Sequence, residues 1–176
     1  MSVSQNELAG AVGQIRHTPQ IYQLMLMGIS ADDLRWKPQP SRFSISEVLA
    51  HVTHVDEHCF GPRLRHMLAE DQPQFEDYQD SAFLEQSAEY LSNGPARLDE
   101  FVATRARWMK LIETVTLDHV DRKGKHFRLG LISVAELLHE WAFHDLGHVR
   151  QIAEILRARS YYPHIGVFQP MYTVRP

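Results

Sequence analysis

A single cysteine, Cys59, is all that this chain of 176 residues contains, which excludes an intramolecular disulfide and a cysteine-built zinc site. Cys59 reads as a small core residue. No apolar run approaches the roughly 18 residues of a membrane span, and the opening residues, with Gln5, Asn6 and Glu7, lack a basic segment followed by an apolar one. The expected location is the cytoplasm. An excess of positive charge is missing too: the formal net charge is −4, so no nucleic acid is expected as a partner. Hydrophobic content of 44% and charged content of 23% are those of an ordinary folded protein. The length suits one domain over residues 1–176. There is no internal repeat and no convincing alternating strand pattern.

Histidine, by contrast, is plentiful at eleven residues, and it is unevenly spread. His51, His54, His58 and His66 crowd one segment, and His139, His144 and His148 another. In the second segment His144 and His148 are one helical turn apart, with Cβ atoms about 5–6 Å from each other. At about 100° per residue, both fall within about 60° of the direction shared by Leu137, Leu138, Trp141, Ile152, Ile155 and Leu156. An imidazole on a core face must find partners for both nitrogens. Two core histidines bonded to neighbours would meet that need, and so would one shared divalent ion.

Four helices follow from caps and periodicity. Ser4-Gln-Asn-Glu7, Ser44-Ile-Ser-Glu47 and Ser133-Val-Ala-Glu136 are capping boxes. The first opens a helix whose apolar phase runs to Ile29 and meets Thr18-Pro19, so either a separate arm precedes Pro19 or one kinked helix passes through it. The second opens a helix to about Leu68, with Ile45, Val48, Leu49, Val52, Val55 and Cys59 on its apolar face. His51 lies on the flank of that face, while His54, His58 and His66 read as solvated.

Asp71 to Asp80 is an acidic connection. Ser81 to Leu91 can form a short helix, broken at Asn93-Gly94-Pro95. Ala96 to Val115 forms the third long helix, with Arg105 in the middle of its apolar face, where a guanidinium needs an anionic partner or water. Asp118 to Gly130 is a polar loop, the fourth long helix ends near Arg159, and an aromatic tail follows that can pack on the bundle or on a partner subunit. The fold class expected is all-α, a four-helix bundle.

His51, on a facing helix, is the natural third ligand beside His144 and His148. A three-histidine site with open positions holds water or substrate on the ion, as catalytic sites do. Zinc, nickel, iron and cobalt all suit it. Asp145 has two competing roles: pairing with Arg105, or acting as a base or second partner at the metal water. His144-Asp-Leu-Gly-His148 also mimics the zinc-protease pattern, but Asp reaches less far than Glu and no third ligand follows at the expected spacing.

Taken together and in order, four segments resemble the DinB-like, YfiT-like metalloenzyme superfamily. They are Ser44-Ile-Ser-Glu-Val-Leu-Ala-His51, Phe101-x3-Arg105, His126-x3-Gly130 and His144-Asp-Leu-Gly-His148-x-x-Gln151-Ile152. The likeness runs from about Thr18 to Ile155. It implies an up-down-down-up bundle with a long connection between the second and third helices, here Asp71 to Asn93, and it implies His51, His144 and His148 as the metal ligands. Gln151 belongs to the same motif as a supporting residue, and His126 either approaches the pocket from its loop or is a surface histidine.

The activity implied is that of a metal-dependent hydrolase on a small-molecule substrate. The alternatives are a transferase or isomerase using a low-molecular-weight thiol such as bacillithiol, mycothiol or glutathione, or a metal-binding domain without turnover. An anionic thiol would want basic residues at the mouth, for which Arg63, Arg65, Lys123, Lys125 and Arg128 are candidates. A homodimer is also implied.

Overall fold

The computed structural model describes residues 3–176. Each of the three capping boxes is formed, with the serine hydroxyl accepting from the backbone N–H three residues on and the glutamate reaching back to the serine N–H. They start α1 (Gln5–Leu26), α3 (Ile45–Val55) and α7 (Val134–Leu156). A short α2 (Ala31–Arg35) joins the first two. After a wide π turn at Asp56–Phe60, α3 continues as α4 (Gly61–Ala69). The third long helix, α6 (Gly94–Ile112), is preceded by α5 (Ala88–Ser92), and Asn93 caps it by accepting from the Ala96 N–H at 3.3 Å. Helix α1 packs on α7, and α3 on α6.

Two clusters fill the core. One joins the start of α1, α4, the end of α6 and the start of α7 through residues such as Ile15, Leu64, Ile112 and Trp141. The other joins the end of α1, the start of α3, the first half of α6 and the end of α7 through Tyr22, Ile45, Phe101 and Ile152. Among the described residues, no helix is long and apolar enough to cross a membrane.

Pro19 lies inside a continuous α1, so no separate arm precedes it. Proline has no N–H to give to the carbonyl four residues back, which is that of Ile15. That carbonyl instead accepts from Arg105 Nη1 at 2.8 Å. The other donors of Arg105 are filled as well. Nε and Nη2 bond Asp56 at 2.8 and 3.1 Å, and Nη1 and Nη2 bond Asp145 at 2.6 and 2.9 Å. All five N–H groups of the guanidinium are thereby used. Trp141 Nε1 donates to Asp56 at 2.8 Å, and the guanidinium lies 4.8 Å from the Phe101 ring centre. One buried clamp thus touches all four long rods.

The polar loop expected between the third and fourth rods is in fact a β-hairpin, which amends the all-α expectation. Strand β1 (Lys123–His126) pairs antiparallel with β2 (Gly130–Ser133). Gly130 has φ +81°, a conformation that suits glycine at the turn. A Cβ on Gly124 would come within 2.3 Å of the Phe75 ring, so the hairpin sits directly on the connection. Bonds from Phe75 N to Lys125 O (3.0 Å) and from Lys125 N to Pro73 O (2.8 Å) fasten the two. Neither strand shows alternation, and β1 is held by a segment some fifty residues earlier; that is why the local pattern did not reveal it.

After α7 the chain makes a π turn at Arg157–Tyr161 and then 3-10 turns, which fold the aromatic tail back onto the bundle. Arg159 bonds Asp33 at 2.8 Å, and Arg42 bonds the Pro176 carbonyl at 3.3 Å.

Replacing Arg105 by methionine leaves two buried carboxylates without their cation. The expected loss is about 3–5 kcal/mol of folding stability, measurable by urea unfolding. A loss within about 1 kcal/mol would contradict the central role given to the clamp.

Candidate metal centre

The wide turn at Asp56–Phe60 and the register of α7 decide what reaches the site. His51 comes from α3, and His144 and His148 from consecutive turns of α7, where the Asp145 clamp fixes the rotation of the helix. One ligand atom from each of the three imidazoles lies within 4.8 Å of the others. His144 Nε2 and His148 Nε2 are 3.2 Å apart. Two nitrogens at about 2.0–2.1 Å from one tetrahedral ion would stand about 3.3 Å apart.

The protonation states suit ligation. Burial pushes His51 down to about 3 and His144 down to about 2, with the neighbouring imidazoles adding to the effect. Burial also lowers His148, against the pull of Gln151. All three rings are therefore neutral near pH 7 and carry lone pairs. Gln151 Oε1 accepts from His148 Nδ1 at 2.9 Å, which leaves Nε2 as the free lone pair, an arrangement common around metal-bound histidines. His51 Nδ1 is buried with no hydrogen-bond partner among the described residues. A buried imidazole nitrogen left unpartnered is costly, and this set of donors fits a divalent transition ion.

The histidines line a cavity of about 690 Å³. Phe43 and Phe60 contribute apolar wall beside them, the Phe60 ring centre lying 5.4 Å from that of His144. The far side comes from the connection, with Asp77, Tyr78 and Asp80, and from the hairpin turn, with His126 to Leu129. His126 Nδ1 accepts from the backbone N–H groups of Arg128 and Leu129 at 3.2 and 3.3 Å, so its ring braces the turn and lines the cavity as well. Burial, helped by Arg63, lowers its pKa. Burial pushes the Cys59 thiol in the same wall up to about 11. A second cavity of about 520 Å³ meets the first at Phe43, Glu140, His144 and His148.

Asp145 is 0% exposed, has both oxygens bonded to Arg105, and does not line either cavity. Of its two competing roles, the ion pair is the one this geometry builds. His54, expected to be solvated, is half-buried instead: its ring packs 4.3 Å from His58 and 5.7 Å from Tyr78, which the connection lays over it. His58 and His66 are exposed. Of the five basic candidates, only Arg63 and Arg128 line the main cavity, and Arg65 sits over Trp108.

Two residues went unnoticed in the sequence. Asp56 is 1% exposed and completes the clamp; it falls between Leu49 and Val52 on the helical wheel, an acid in mid-stripe that should have drawn notice. Glu140 lies four residues before His144, hence on the same face of α7, and lines both cavities.

A family model of the DinB superfamily matches residues 14–152, a span that includes the three histidines, Arg105 and both clamp aspartates. The chain belongs to the DinB superfamily. This DinB-superfamily chain also resembles YfiT from Bacillus subtilis, described as a probable metal-dependent hydrolase with an unusual four-helix bundle topology. The likeness has a TM-score of 0.80 at 17% identity and covers 91% of each chain, which establishes a shared fold. No curated protein matches the chain significantly.

The depressed histidines make a pH prediction for the metal-free protein. Between about pH 6.5 and about pH 3, the unfolded chain takes up protons at His51 and His144 and the folded chain does not. Stability from this source therefore falls as pH falls. Burial raises the Asp56 carboxyl to about 6, which acts in the opposite sense, so the comparison must be with a variant. The drop in melting temperature from pH 7.5 to 5.0 should be about 5 °C larger in the parent than in a His51→Gln/His144→Gln variant. Equal drops in a calorimetric scan would show that the folded chain protonates these rings freely.

Proposed function

We propose that the chain is a metal-dependent hydrolase of the DinB superfamily, with His51, His144 and His148 holding one divalent transition ion against a small-molecule substrate. The observation that carries the reading is three neutral imidazoles converging on one point in the wall of an open cavity of about 690 Å³. A structural metal site would instead be closed by a fourth protein ligand. When bound, the ion supplies Lewis acidity and lowers the pKa of water.

The chain's own residues do the rest. Gln151 holds the tautomer and orientation of His148. Phe43 and Phe60 keep one side of the cavity dry, which strengthens polar contacts within it. Glu140, exposed at the seam between the two cavities and in no salt bridge with the described residues, is placed to accept a proton from attacking water. The clamp holds α7 so that the two histidines stay in register. The reading also takes the rods as up-down-down-up, supported by the ends that share each core cluster.

A thiol-transfer reading is favoured by one feature, the meeting of two cavities at His144 and His148, which leaves room for a thiol and a separate acceptor.

Elemental analysis decides first. The purified parent should hold about one equivalent of zinc, nickel, iron or cobalt, and a His144→Ala/His148→Ala variant none. A panel of aryl esters, amides and phosphoesters then tests hydrolysis, with and without added low-molecular-weight thiol. Turnover should fall by about 100-fold or more in the variant or after chelation. No metal in the parent after reconstitution would sink the proposal, and turnover only with thiol present would favour the transferase.

A further inference from the structure

Among the described residues, two arginines line the main cavity, and Arg63 is the half-buried one. It projects from α4 and makes no salt bridge or hydrogen bond with the described residues. Its guanidinium packs 5.6 Å from the Phe75 ring centre, which supports its stem and leaves its donors unused. The guanidinium of a half-buried arginine cannot shed its charge, and it gains most from a planar anion that takes two N–H bonds at once.

Arg63 also lines a neighbouring cavity of about 640 Å³, which shares Asp77 and Tyr78 with the first and is lined by His54, His58 and His66. It therefore stands between two cavities, one of which the three histidines line, beside residues 77 and 78 of the connection. Its positive charge acts on Cys59 and Tyr78, lowering each against their burial, and on His126, where it adds to the effect of burial. Carboxylates are present as well, but Asp77, Asp80 and Glu140 are exposed and remain solvated at the rim. Arg128 is exposed on the hairpin turn, where it lies over Phe127. Depth, rather than net charge, separates Arg63 from the rest.

We propose that Arg63 recognises an anionic group, a carboxylate or a phosphate, on the molecule that occupies this cavity. The substrate is then an anion with an apolar portion, whose body lies against Phe43 and Phe60 and whose charged end lies at Arg63. This names the substrate class for the site proposed above and rests on that cavity being the substrate site, but it does not depend on which ion the histidines hold.

Calorimetric titration of the full-length chain, zinc-loaded and metal-free, tests it with 3-phenylpropanoate, phenyl phosphate and the neutral 3-phenylpropanamide. In the metal-free parent at least one anion should bind about 10- to 100-fold more tightly than the amide, with the preference shrinking as salt rises. Arg63→Met should erase the preference while leaving amide binding and the melting temperature near parental values. Arg63→Lys should keep part of it, and Arg128→Met should change it less than about twofold. Phosphate preferred over carboxylate, or the reverse, identifies which anion the site takes. Retention of the preference in Arg63→Met, its loss in Arg128→Met alone, or binding of neither anion above the amide would each overturn the proposal. Failure of zinc to bind would count against the metal reading and leave the metal-free comparison intact.

Discussion

One buried guanidinium holds this bundle together, and the remainder of the structure is arranged to satisfy it. Arg105 cannot lose its proton, so five donors had to be met inside the core: four by the oxygens of Asp56 and Asp145, the fifth by a backbone carbonyl. Two helix irregularities accompany that solution. Pro19 frees the Ile15 carbonyl from its own helix, and the wide turn at Asp56–Phe60 begins at the residue that faces the arginine. Compared with well-packed apolar side chains, such a clamp adds little net stability. It does specify one arrangement of the four rods, because any other leaves a charge unpartnered.

The candidate metal centre is built outward from this clamp. His144 precedes Asp145 in the chain, so the residue that locks α7 into the core also aims its neighbour at the cavity. His51 lies five residues before Asp56 and is placed by the other half of the same clamp. Desolvation then keeps the imidazoles neutral, which is the state a metal ion requires. Core electrostatics and site chemistry are in that sense one construction.

What the sequence makes legible is what local physics decides. Each capping box acts within four residues, and all three mark real helix starts. The phase of α7 puts His144 and His148 on the inner side, and His51, on the flank of its own helix, stands within 4.8 Å of both. The hairpin was illegible because Lys-Gly-Lys-His has no strand character of its own and is held by Phe75 from the distant connection. His54 was misread as solvated because Tyr78, far along the chain, covers it. Asp56 is legible on the regular wheel, in mid-stripe between Leu49 and Val52, whereas the residues after it are not. Val48, Val52, Asp56, Phe60 and Leu64 keep one side at a strict spacing of four, although in a regular α-helix each such step drifts by about 40°. The wide turn takes up that drift, and the spacing was its signal.

The clamp also limits how far α7 can roll about its own axis. With side chains about 5–6 Å from the axis, a roll of about 20° would carry an imidazole nitrogen about 2 Å, whereas coordination tolerates departures of about 0.2 Å. A ligand pair on a freely rolling helix would lose its alignment with His51 on the facing helix within a few degrees. The bidentate grip on Asp145, one residue from His144, acts as an angular stop at the point where angular error matters most.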